Sequence, residues 1–119
     1  MMNYTVDDEL LTEIYDLLYF LGLRATRTHF FHTSFAVYLA AQEPDRLLLV
    51  TKWLYPDVAK HYATNWKAVE RNIRTGVTLV WAQNQEGLSQ LAGYELKKKP
   101  TSTQFLTILA HALEGDKVA

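Results

Sequence analysis

The sequence predicts an all-α fold of about six helices, with a helix-turn-helix over roughly residues 56–82. Three observations lead there. Apolar residues recur at three- and four-residue spacing along nearly the whole chain, the period of a helix with one buried face. No two segments alternate apolar and polar residues as a strand pair would. Gly22 and Gly93 stand as helix stops, and Pro44 follows directly on a helical segment. With 119 residues, 49% of them hydrophobic, the chain is the size of one domain spanning 1–119 and can bury a core without staples.

The elements follow in order. Thr5 can cap a first helix, with Asp8 in capping-box position, and Leu10, Leu11, Ile14, Leu17, Leu18 and Leu21 form its apolar stripe. Gly22 stops it. A second, aromatic-rich helix runs from about Thr28 to Gln42, and a third from about Arg46 to Leu54. Pro56 suits the first turn of a fourth, ending near Ala63. Thr64 or Asn65 caps a longer fifth, to about Ala82. A short helix ends before Gly93, and Tyr94 to Pro100 is extended or looped, because Pro100 disfavours helix before it. Thr101 or Ser102 opens a last helix to about Leu113.

Composition excludes several function classes. There is no cysteine, so disulfides, thiolate zinc sites and cysteine nucleophiles are out. No run approaches the roughly 18 apolar residues of a membrane span. The acidic start MMNYTVDDE lacks the basic beginning of a signal peptide, so a cytoplasmic protein with no membrane partner is expected. No nucleophile elbow, phosphate loop or metal-ligand helix is present, so neither an enzyme nor a cofactor is expected. His29 and His32 share a helix face, but with Phe30 and Phe31 between them they read as aromatic packing rather than a metal site.

Net charge is only −1, but its distribution is uneven. Asp7, Asp8, Glu9, Glu13 and Asp16 precede the first basic residue, Arg24, whereas Lys60, Lys67, Arg71 and Arg74 cluster mid-chain. In the region 56–82, Val58, Ala59 and Tyr62 mark the inner face of a short helix, and Val69, Ile73, Gly76, Val77 and Val80 that of a longer one. At 100° per residue, Lys67, Arg71, Arg74 and Thr78 fall at about 140–200° from Val69, the opposite face. Glu70 and Thr75 flank that line. Pairing of Glu70 with Lys67 and Arg74 is worth about 0.2–0.5 kcal/mol each, but Lys67–Arg71 and Arg71–Arg74 repel by similar amounts. Local pairing gives almost no net gain, whereas an anionic partner turns the repulsion into attraction. Plain helical bundles also contain such patterns, so these residues alone leave a solvated face and a DNA-binding face both open.

The string Thr51-Lys52-Trp53-Leu54-Tyr55-Pro56-Asp57-Val58-Ala59-Lys60, followed by Val69-Glu70-Arg71, Ile73-Arg74 and Trp81, resembles the C-terminal DNA-binding domain of the sporulation response regulator of endospore-forming bacteria. Gly93-Tyr94, Lys99-Pro100-Thr101, Phe105 and Leu113 extend the resemblance, which covers about 51–113. It implies a transcription regulator that reads double-stranded DNA through the helix beginning near Asn65, with domains able to sit in tandem on adjacent boxes; a homodimer is the other arrangement expected. It further implies that Glu70, Arg71 and Arg74 face bases. Thr64, Asn65, Lys67, Thr75, Thr78, Lys99 and Thr101 are expected at or beside the DNA backbone. The chain departs from the family at Ala68, where an Arg is usual, at Thr75 for His and at Ser102 for Asn. No receiver-domain pattern is present, and Met1-Met2 with a well-formed first helix favours a stand-alone protein. Ala68 and Ser102 motivate an alternative, a protein-interaction module that tunes a full-length regulator without reading DNA. Three further features carry expectations. Lys97-Lys98-Lys99 reads either as a phosphate contact or a solvated loop; Trp53 and Trp81 read as core, and Trp66 as packing on the preceding helix or standing at the DNA backbone. Phe30, Phe31, Phe35 and Tyr38 serve either the core or a dimer face.

Overall fold

The computed structural model describes residues 7–118 and is all-helical over them. Six helices of seven residues or more make up the fold: α1 (Asp8–Leu21), α2 (Thr28–Gln42), α4 (Tyr55–His61), α5 (Trp66–Gln83), α6 (Gln85–Ala92) and α7 (Ser102–Val118). A 3-10 turn (Pro44–Leu48) and a single helical turn, α3 (Val50–Trp53), link α2 to α4. No described helix is long and apolar enough to cross a membrane.

The core is layered around α2, which packs most extensively on α5 and α7. Ile14, Leu18 and Leu21 of α1, Phe30 and Val37 of α2, Val69, Ile73 and Val80 of α5, and Phe105, Leu106 and Leu109 of α7 are fully buried there. Each fully buried side chain of this size contributes about 1.5–3 kcal/mol. Phe30 and Tyr38 are therefore core residues, while Phe31 and Phe35 are half-buried and pack against that core. Phe35 stacks on His61 at 4.0 Å between ring centres.

Most helix ends stand where the sequence places them. Gly22 and Gly93 take left-handed conformations (φ 99° and 85°) and stop α1 and α6. Thr101 caps α7 in a reciprocal box: its hydroxyl accepts from the Gln104 N–H at 3.1 Å, and its own N–H donates to Gln104 Oε1 at 2.9 Å. Other expectations need correction. The Thr5 cap lies outside the described residues; Asp7 caps α1, accepting from the Leu10 N–H at 3.0 Å. The third helix is broken at Leu49 (φ −153°, ψ 80°). Its break is held by Arg46, whose Nη1 donates to the Trp53 carbonyl and to Asp57, each at 2.6 Å, and which also pairs with Glu43. Trp53 is 44% exposed rather than core. The last helix continues past Leu113 to Val118.

Candidate nucleic-acid interface

The helix that carries the cationic residues is fixed at both ends and along one side. At its start, the backbone of α4 winds down through Tyr62 and Ala63. Ala63 adopts φ 54°, the left-handed region, with no glycine to ease it. The Thr64 N–H bonds back to the Ala59 carbonyl at 2.9 Å and the Ala63 N–H to Lys60 at 3.4 Å, the paired bonds of a Schellman turn. Asn65 then caps α5, its Oδ1 accepting from the Ala68 N–H at 2.9 Å. Between Thr64 and Asn65, the cap is Asn65.

Along its inner side, α5 buries Val69, Ile73, Gly76, Val77 and Val80. At Gly76 the helix lies close against α2: a Cβ there would stand 3.3 Å from the Thr33 hydroxyl. Asn72 adds a polar tether. Its amide donates to the Ala68 carbonyl at 3.0 Å and to Nδ1 of buried His32 at 3.2 Å, which puts the His32 proton on Nε2. Burial lowers the His32 pKa, favouring this neutral ring. At the far end, Asn84 and Gln83 donate to the carbonyls of Phe20 and Leu21, at 3.0 and 3.5 Å, tying α5 to the end of α1.

The outer side has a different character. Lys67, Arg71, Arg74, Thr75 and Thr78 are all exposed. Among the described residues, the ion pairs within 4.0 Å belong to Arg46, with Glu43 and Asp57. The Lys67–Glu70 and Glu70–Arg74 pairs allowed by spacing do not form, so Lys67, Arg71 and Arg74 stand as free cations on one line. Lys67 Nζ lies 5.9 Å from the Trp66 ring centre, and Trp66 itself is 36% exposed at the first turn. Trp81, farther along, is half-buried against the core.

Glu70 is the half-buried member of the group and points to a residue for which the sequence offered no role. Tyr55, at the start of α4, is buried. Burial first, and then the Glu70 charge, push its phenol up to about 12, against the opposing influence of the Ser102 hydroxyl beside it and of Arg74. Tyr55, Glu70, Arg74 and Ser102 therefore share one electrostatic neighbourhood where α4, α5 and the start of α7 converge. In the sequence, the cue to Tyr55 is its place in the string Thr51 to Lys60 that carries the resemblance.

The flanking residues divide. Lys99 reaches across from the loop before α7, and its Nζ donates to the Thr78 hydroxyl at 3.2 Å. The loop that also carries exposed Lys97 and Lys98 is thereby joined to the cationic line. Thr75 turns its hydroxyl back to the Arg71 carbonyl at 3.0 Å. Asn65 and Thr101 are engaged as caps, and Thr64 is exposed in the turn.

A short helix, a left-handed turn and a longer helix with one buried and one cationic face are thus assembled within an all-helical core. A family model described as "Sporulation initiation factor Spo0A C terminal" matches residues 14–113. That family is the DNA-binding domain of a sporulation regulator and is regulatory rather than enzymatic. On this match over most of its length, the chain belongs to the Spo0A C-terminal family.

Proposed function

We propose that the chain regulates transcription by binding duplex DNA at a specific sequence, with α5 lying in the major groove. The observation that carries this reading is the unpaired cationic line of α5, set on a helix whose other face is locked into the core. Arg71 and Arg74 each present a planar fork suited to guanine O6 and N7. Glu70 accepts from cytosine N4 or orients Arg74. Lys67, Thr64, Asn65, Thr75, Thr78, Lys99 and Thr101 line the phosphate backbone, where Lys67 and Lys99 supply attraction and Thr78 helps to hold Lys99. Copies of the chain bind as a homodimer or side by side on adjacent boxes.

The test is an unbiased selection of bound duplexes from a random pool at physiological salt. It should enrich a short box containing guanines, and a pool that stays random through repeated rounds would sink the reading. A second reading, a module that contacts a protein instead of DNA, is favoured by the exposed Leu48, Leu49 and Trp53 (76, 45 and 44% exposed) on a segment held by Arg46. It requires that no duplex be shifted even at low salt.

A further inference from the structure

The loop between α1 and α2 carries Arg24 and Arg27, neither of which the preceding assignment uses. Both are exposed, and among the described residues neither has a carboxylate within 4.0 Å. They line a groove of about 440 Å³ together with His29 and with Leu79 and Gln83 of α5. No acidic residue contributes to that groove. Leu79 is 39% exposed and offers an apolar floor for the arginine stems. The His29 pKa is lowered by burial and then by the nearby Arg27 charge.

The loop does not float relative to α5. Leu23 is buried beside Gly76, with its Cδ1 3.7 Å from where a Gly76 Cβ would stand. Gly22 lies so close to Gln83 that a Cβ there would meet the amide nitrogen at 2.5 Å, and Gln83 and Asn84 hold the carbonyls just before it. At 100° per residue, Leu79 and Gln83 lie about 100–150° around α5 from the cationic line. The Tyr55–Ser102 side lies the other way round. The groove therefore lies beside α5, between its cationic and its buried side, on the side away from Tyr55 and Ser102.

We infer that Arg24 and Arg27 form a second phosphate clamp, gripping the DNA backbone along the far flank of α5 without reading bases. The inference rests on the proposed function and adds a contact to it. Guanidinium groups suit this role because they bond phosphate oxygens bidentately and keep their charge at any working pH. Together with Lys67 and Lys99, which lie along the cationic line, this contact helps to set the depth and angle at which α5 enters the groove.

The experiment compares wild type with Arg24→Gln/Arg27→Gln, using the selected box and an unrelated duplex over a range of salt. Both side chains are exposed, so thermal melting should be unchanged and verifies the fold. Each lost phosphate contact flattens the slope of log K against log salt by about 0.9, so the double variant should lose nearly two units. Affinity should fall on the order of tenfold at physiological salt, equally for both duplexes. Arg24→Lys/Arg27→Lys should restore most of the slope, because charge and not base geometry is at work. An unchanged slope beside a selective wild type overturns the clamp and leaves the proposed function standing. A fall in selectivity overturns it too, because the arginines would then be reading bases. A wild type that binds no duplex removes the proposed function, and the clamp with it.

Discussion

Replacing Arg71 with alanine separates folding from function in sign as well as size. Arg71 is exposed and has no carboxylate partner among the described residues, so its removal orphans no buried charge. Its neighbours at four and three residues are Lys67 and Arg74, both cationic. Relief of two like-charge contacts is worth about 0.2–0.5 kcal/mol each, and alanine is at least as good a helix former. The variant should thus be equal to or up to about 1 kcal/mol more stable than wild type. For a chain of 119 residues the melting entropy is roughly 0.25 kcal/mol/K, so the midpoint should rise by about 0–4 °C, less at high salt. Binding should move the other way. Loss of one bidentate base contact costs about 1–3 kcal/mol, a drop of about 5- to 150-fold for the selected box. An unrelated duplex, bound through phosphates alone, should be affected far less. Calorimetric melting and competition binding at matched salt measure both arms. A midpoint lowered by more than about 4 °C would make Arg71 a structural residue. Box preference that survives intact would remove it from base reading.

Two further predictions concern what holds α5 in place. Ala63→Gly relieves a left-handed conformation costing about 1–2 kcal/mol for an L-residue, while adding about 0.5–1 kcal/mol of unfolded-state entropy. A net gain near 0.5–1 kcal/mol in urea unfolding is expected, and a loss would mean that the turn needs the alanine methyl. His32 makes the fold acid-sensitive: its folded pKa is lowered, so its contribution is complete above about 6.5 and is lost as pH falls toward the lowered value, because the unfolded chain then takes up the proton. The urea midpoint should decline from pH 7.5 to pH 5 in wild type, and His32→Gln should flatten that decline; an identical pH profile in the variant would show that other groups set it.

How much of this could be read from the sequence depended on the range of the interaction. Helix ends set by local chemistry, such as Gly22, Gly93 and the Asn65 cap, stand where propensity places them. The line of Lys67, Arg71, Arg74 and Thr78 followed from periodicity alone, because a helix turns by the same angle wherever it sits. The third helix reads as continuous because its apolar run is helical in pattern, whereas its break is stabilised by a bond from Arg46 to a carbonyl seven residues away. Trp53 reads as core on type and position, but its side chain is 44% exposed. Contacts across the chain were invisible: the 21-residue span from Thr78 to Lys99, and the 40-residue span from His32 to Asn72, close only once α2, α5 and the α6–α7 loop are packed.

The exposed and buried faces of α5 depend on each other. A helix carrying three unpaired cations in two turns gains nothing from its surface, so its stability comes from burial of the opposite face. The same burial gives the cations fixed positions. Gly76 against Thr33 sets the distance to α2; the Asn65 cap and Schellman turn set the start, and Gln83 and Asn84 set the end. With both ends and one side fixed, α5 cannot slide or roll without breaking these contacts. Under the proposed function, a mismatched sequence is therefore felt as a missing contact and is not absorbed by movement of the helix. On that same reading, the burial that offsets the repulsion along the cationic line is also what makes that line selective.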